Sequence, residues 1–137
     1  MKKYLFLWPA LVLVIVMAAC KKDGGSGPAP TDTSPSVIVI DFPTAGTIYL
    51  NGSNMNITGT ITDADNLSTA RVEVKNKNTN AVLNQQQSST GTVSFYRFNW
   101  NWTVSGITVT TPATVTITSR DKNGFEISKA VDVILDF

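Results

Sequence analysis

The sequence has no histidine and a single cysteine, and neither charge sign dominates it. Without histidine, the usual serine and cysteine nucleophiles lack their customary base. Glu73 and Glu126 show no motif that would place them across a cleft for glycoside hydrolysis. If Lys2 and Lys3 are removed with a signal peptide, nine of the 11 basic residues remain against ten acidic ones, too balanced for a nucleic-acid-binding stripe. We therefore expect neither an enzyme nor a nucleic-acid partner.

The N-terminus has the layout of a secretory signal. An apolar run beginning at Leu11 follows Lys2 and Lys3 and ends in small residues immediately before Cys20. Met17-Ala-Ala-Cys20 resembles a bacterial lipobox, in which signal peptidase II cleaves before a diacylglyceryl-modified cysteine. The resemblance implies that residues 1–19 are a signal peptide and that Cys20 becomes the lipidated N-terminus. The alternative is a transmembrane helix over residues 4–19, but this stretch contains Pro9 and falls short of the roughly 20 residues of a span.

Residues 20–35 are rich in glycine and proline and offer no side chain for a core. This composition predicts a flexible, disordered linker with an average reach of roughly 20 Å. Lys21-Lys22-Asp23 resembles the basic-then-acidic segments that direct some Gram-negative lipoproteins to the cell surface. A solvated start of the linker explains these three residues equally well. The expected location is the bacterial cell envelope, as an outer-membrane lipoprotein that is potentially surface-exposed.

Residues 36–137 alternate between apolar and polar side chains, which is the pattern of half-buried strands. We find no useful helical periodicity, and Thr and Val fill the alternating segments. About seven strands in about 100 residues favour an all-β fold, a two-sheet antiparallel sandwich. The predicted strands lie around 37–42, 55–62, 70–75, 81–86, 96–104, 115–117 and 125–137.

Several segments resemble the bacterial immunoglobulin-like domains of secreted and surface proteins. The resemblance is carried by Pro43-Thr-Ala-Gly46, Ile57 to Asp65, Ala70 to Val74 and Ala113 to Gly124. It implies an immunoglobulin-like sandwich over residues 36–137 and a surface setting, and it specifies no chemistry. Residues 78–92 match no part of the pattern, so their pairing stays unassigned.

An aromatic cluster occupies the fifth predicted strand. Tyr96, Phe98, Trp100 and Trp102 share one parity and therefore one face of the sheet, which favours a place in the core. The alternative is a flat aromatic surface that stacks on sugars through Trp100 and Trp102. Phe95 has the opposite parity, so it is the better candidate for an exposed ligand contact.

Hard oxygen ligands cluster in two predicted loops. Asp63, Asp65 and Asn66 follow the second strand, and Asp121 and Asn123 precede the last one. In immunoglobulin-like topology these loops share one end of the sandwich, where carboxylate oxygens could hold Ca²⁺. The alternative is that these residues form turns by bonding their own backbone. Asp63, Asp65, Asp121 and Asn123 are thus candidate calcium ligands, and no other cofactor is expected.

These features together predict a non-catalytic, membrane-anchored lipoprotein whose immunoglobulin-like domain is a structural or protein-interaction module of the cell envelope. The alternative is a surface glycan-binding lipoprotein that assists polysaccharide capture. The expected partners are the membrane, through the N-terminal lipid, and an envelope protein or a glycan.

Overall fold

The computed structural model describes residues 31–137, and Thr31–Phe137 form one compact unit. The predicted signal peptide, the lipidation site at Cys20 and residues 20–30 of the predicted linker lie outside the described residues. Within the described range, we find no helix of the length and apolarity needed to cross a membrane.

The described chain forms six strands, and two of them are unusually long. The long strands arise where alternation continues through residues that we expected to form separate loops. The strands are β1 (Val37–Phe42), β2 (Ile48–Leu50), β3 (Asn54–Asn76), β4 (Val82–Thr103), β5 (Thr111–Asp121) and β6 (Glu126–Asp136).

The strand pairing produces two layers from one hydrogen-bonded sheet. In the first layer, residues 54–62 of β3 lie between β1 and residues 95–103 of β4. In the second layer, residues 67–76 of β3 lie between β5 and residues 82–93 of β4. The second layer continues from β5 to β6 and then to β2. This arrangement is the predicted all-β, immunoglobulin-like β-sandwich.

The strands β3 and β4 pass from one layer to the other at the same place. The β3–β4 register is interrupted between Thr62 and Leu67, and Leu67 pairs with Val93 on β4. Asn66 in this bend of β3 has φ 67°, and Gly91 in β4 has φ 68°. Asparagine and glycine are the residues that tolerate this left-handed conformation, so the sequence allows both strands to bend here.

The core lies between the two layers, and the alternation predicts it well. Met55, Ile57 and Ile61 on β3 and Val115 and Ile117 on β5 are all fully buried in one core cluster. The remaining buried apolar residues come from both layers and from the loop after β4: Ile38, Leu67, Ala70, Val72, Val74, Phe98, Trp100, Val104, Ile107, Ala113, Val133 and Leu135.

Two details of the strand prediction are corrected. Residues 31–137 form six strands instead of about seven, because residues 63–66 bend β3 without ending it and residues 87–94 belong to β4. Strand β2 was not predicted, since three residues show no alternation, and it pairs with β6 in parallel. In β6, Lys129 interrupts the row of apolar side chains, and its ammonium donates a hydrogen bond to the Ile38 carbonyl oxygen at 3.1 Å.

Candidate functional site

The outward side of the first layer carries a polar surface, which we call the polar face. It consists of alternate side chains from the paired segments of β3 and β4. Amide and hydroxyl groups dominate it, and most of these side chains are exposed. The residues are Asn54, Asn56, Thr58, Thr60, Thr62, Phe95, Arg97, Asn99, Asn101 and Thr103.

An open cleft of about 470 Å³ adjoins one end of the polar face. Phe42, Tyr49, Asn54, Asn56 and Thr58 line it. Its volume lies within the range of small-ligand sites. The cleft combines two aromatic rings with two amides and a hydroxyl, a set of groups that can stack on a ring and hydrogen-bond to its substituents.

The two aromatic residues of the cleft differ in exposure. Phe42 is 58% exposed at the end of β1, so its ring is accessible to a ligand. Tyr49 lies on β2 and packs partly against the core. Burial raises the pKa of the Tyr49 phenol above its ordinary value of 10.0, so the hydroxyl stays neutral and can donate a hydrogen bond at physiological pH. The sequence did not reveal this cleft, because β2 itself was not predicted.

The residues of the predicted aromatic cluster differ in how deeply they are buried. Phe98 is fully buried, and Trp100 is 7% exposed with its ring stacked on that of Phe98 at a centroid distance of 5.0 Å. The indole nitrogen of Trp100 donates to the Ser88 hydroxyl at 3.3 Å. Trp102 is half-buried against the core. Trp100 thus lies among the buried core residues, as its parity predicts, while a role of Trp100 and Trp102 as ligand contacts stays a prediction.

Phe95 is 56% exposed on the polar face, as its opposite parity predicts. It pairs with Thr62, and Arg97 on the same side of β4 forms an exposed ion pair with Asp41 at 3.9 Å. A single exposed aromatic residue is ordinary in soluble domains. Phe95 is nevertheless accessible to a ligand, in contrast to Trp100.

The structure brings only two of the four predicted calcium ligands together. One carboxylate oxygen each of Asp65 and Asp121 lies within 4.8 Å of the other and of Asp32, which was assigned to the linker. The carboxylate of Asp63 is instead buried, accepting hydrogen bonds from the Ser36 hydroxyl and from the Asp65 amide.

Asn123 lies exposed in the turn between β5 and β6. In this turn, Asp121 Oδ1 accepts a hydrogen bond from the Phe125 amide at 2.8 Å, so the turn-forming interpretation is correct for one of its two oxygens. Sequence reasoning missed Asp32 because the residues around it have the same polar, proline-rich composition as the rest of the predicted linker.

No protein-family model matches this chain, and no curated protein matches it in sequence. Several solved structures are similar to it in fold. The fibronectin(III)-like modules of CbhA from Clostridium thermocellum align over 73% of this chain and 96% of their own length, with 20% identity and a TM-score of 0.48.

Two further structures align with lower sequence identity and lower TM-scores. CopC from Methylosinus trichosporium OB3b aligns over 74% of this chain and 94% of its own, with 9% identity and a TM-score of 0.44. Murine CRIg aligns over 74% and 97%, with 7% identity and a TM-score of 0.41. The sandwich assignment follows from the strand pairing described above. A fold by itself does not specify a function.

Proposed function

We propose that this chain is a lipoprotein of the bacterial cell envelope, anchored in the outer membrane through Cys20, whose sandwich is a non-catalytic structural or protein-interaction module. The observation that carries the anchor is the small-residue motif Met17-Ala-Ala-Cys20, placed directly after an apolar run with basic residues before it. The module role is supported by the sandwich fold and by the broad polar face.

The anchor is tested by replacing the cysteine in a Gram-negative host. Wild-type protein should incorporate labelled fatty acid and partition into detergent, and its N-terminal peptide should begin at Cys20 with the mass of a diacylglyceryl group. Cys20→Ser should lose the fatty acid and retain its signal peptide. Ser26→Ala, in the predicted linker, is the matched control and should behave as wild type. Detergent partition of both variants without fatty acid would instead support a transmembrane helix over residues 4–19.

A protein partner is supported by the open edge of β4. Among residues 31–137, β4 pairs with β3 and with no other strand, although it is 22 residues long. An unpaired strand edge can accept an additional strand from another chain. A photo-reactive residue at Asn99 on β4 should therefore crosslink to an envelope protein in cells. The same probe at Lys122, in the turn after β5, is the control, and equal crosslinking at both positions would contradict an edge-specific contact.

Glycan binding is a second candidate, and the cleft at Phe42 and Tyr49 favours it. Carbohydrate rings present both an apolar face and hydroxyl groups, which match the aromatic rings, amides and hydroxyl that line the cleft. A polysaccharide panel screened by thermal shift should identify a binding glycan. Phe42→Ala should then weaken binding at least tenfold.

The control for the glycan experiment is Phe95→Ala. Phe95 has nearly the same exposure as Phe42 and lies on the polar face, but it does not line the cleft. It should leave glycan affinity unchanged. Loss of affinity in Phe95→Ala, with Phe42→Ala unaffected, would place the site elsewhere on the polar face. A panel without any thermal shift would leave the protein-interaction hypothesis.

A further inference from the structure

Three carboxylates meet at the end of the sandwich where the chain enters β1. One oxygen each of Asp32, Asp65 and Asp121 lies within 4.8 Å of the other two. The residues come from three separate parts of the chain: the segment before β1, the bend of β3 and the end of β5. None of the three ion pairs found in residues 31–137 includes any of them. Three acidic groups thus converge without an ion-pair partner among the described residues.

A second observation distinguishes this cluster from an ordinary acidic surface. Asp121 is 2% exposed, and its Oδ2 atom is buried without a hydrogen-bond partner among the described residues. Its Oδ1 atom is already bonded to the Phe125 amide. Burying a polar oxygen without a partner is unfavourable, and such atoms are uncommon in folded proteins. A cation in the cluster would supply the missing partner.

We propose that Asp32, Asp65 and Asp121 bind a calcium ion. Ca²⁺ prefers oxygen ligands at 2.3–2.6 Å, so two oxygens that share one ion are separated by at most about 5 Å. The spacing within 4.8 Å fits this limit. Mg²⁺ requires near-ideal octahedral geometry, keeps several of its waters and is usually held by one or two carboxylates, so three carboxylates from separate parts of the chain favour calcium. Three carboxylates leave room for the waters that complete the six to eight ligands of calcium.

The proposed ion fastens the segment before β1 to the domain. Asp32 belongs to residues 31–36, which form no strand up to β1. The Ser34 amide donates to Asp32 Oδ1 at 2.9 Å, and the Ser36 hydroxyl donates to the buried Asp63 carboxylate. An ion held jointly by Asp32 and Asp121 therefore links this segment to β5. This inference does not depend on the membrane anchor or on the partner of the domain.

Calcium titration of the full-length chain tests the proposal. The protein is purified in detergent, stripped with EDTA and titrated with CaCl₂ or MgCl₂ by calorimetry. Because three ligands make a modest site, we expect one calcium ion with a dissociation constant of roughly 10⁻⁴–10⁻³ M. Calcium at about 100 times this constant should raise Tm by about 10 °C. It should also slow amide hydrogen exchange in residues 31–36.

Isosteric variants identify the ligands. Asp65→Asn and Asp121→Asn should each weaken calcium binding at least tenfold. Asp32→Asn should do the same and abolish the calcium-dependent slowing of exchange in residues 31–36. Since Asp32 lies outside the strands, this variant keeps the test valid if Asp121→Asn fails to fold. Asp41→Asn, an exposed carboxylate on β1, is the matched control and should bind calcium as wild type does.

Four results would overturn the proposal. The absence of calcium binding up to 10 mM would exclude the site, and tighter binding of magnesium would exclude calcium as its ion. Equal losses in Asp41→Asn and Asp121→Asn would show a diffuse response to charge in place of a defined site. Wild-type affinity in Asp32→Asn would remove the segment before β1 from the ligand set.

Discussion

Gly59→Ala should strongly destabilise the domain, because the first layer leaves no space for a methyl group at this position. A Cβ atom on Gly59 would overlap the Val39 carbonyl oxygen and would lie 2.5 Å from Cζ of Phe98. The first contact is with backbone on the neighbouring strand, and the second is with a fully buried ring. Neither group can move away without separating β1 from β3 or displacing the Phe98–Trp100 stack.

Two opposing contributions decide how Gly59→Ala changes the free energy of unfolding. In open space, glycine to alanine within a strand stabilises a protein by about 0.4–1 kcal/mol, since alanine restricts the unfolded chain. Overpacking a filled core costs about 1–3 kcal/mol and occasionally more. The two overlaps place Gly59→Ala at the upper end of this range, so we expect the free energy of unfolding to fall by about 3 kcal/mol. For a domain of this size, that loss lowers Tm by about 12 °C.

Thermal melting followed by tryptophan emission measures this effect on the full chain in detergent. Gly46→Ala is the matched control, since a Cβ atom there would meet nothing within 4 Å in the described part of the chain, and its φ is 78°. There the cost is that of the left-handed backbone, about 1–2 kcal/mol. A Gly59→Ala variant at least as stable as Gly46→Ala would refute the close approach of β1 to β3.

Two further predictions concern the core and an exposed ion pair. Trp100→Ala should cost about 3–5 kcal/mol, because the indole is buried against Phe98; a loss below about 1 kcal/mol would indicate an exposed ring. Hydrogen bonds from Lys77 and Thr114 lower the pKa of Asp132 below its ordinary value of 3.8. Its contribution to stability is therefore present above that value and lost as the pH falls through the lower folded-state pKa. Asp132→Asn should make Tm fall less steeply as the pH is lowered. The same dependence of Tm on pH as in the wild type would contradict a stabilising role of the Lys77–Asp132 ion pair.

The sequence predicts which side chains face the core better than it predicts where strands end. Alternation correctly places Met55, Ile57 and Trp100 inside, because the two-residue period of a strand is a local property. The polar run at 63–66 does bend the chain, as its turn-forming residues indicate. It does not end β3, because β4 bends beside it and the two strands resume pairing afterwards.

The candidate sites depend on contacts between distant parts of the chain, which a local pattern does not contain. The cleft needs Tyr49 on β2, a strand of three residues that is held by its pairing with β6. The carboxylate cluster needs Asp32, which lies 33 residues before Asp65 and is brought to it by the entry of the chain into β1. Sequence reasoning placed Asp65 and Asp121 together, since the immunoglobulin-like topology relates their positions, but it added Asp63 and Asn123 and left Asp32 in the linker.

The shared bend of β3 and β4 has a mechanical consequence. In a sandwich whose two sheets are built from separate strands, no backbone ladder joins one sheet to the other. Here β3 and β4 run through both layers and stay paired at Leu67 and Val93, between the two. Sliding one layer past the other would therefore break backbone hydrogen bonds between these two strands. We expect the domain to resist such shear and to rupture in one event when pulled. A module suspended between a membrane and a partner would then transmit force as one rigid body.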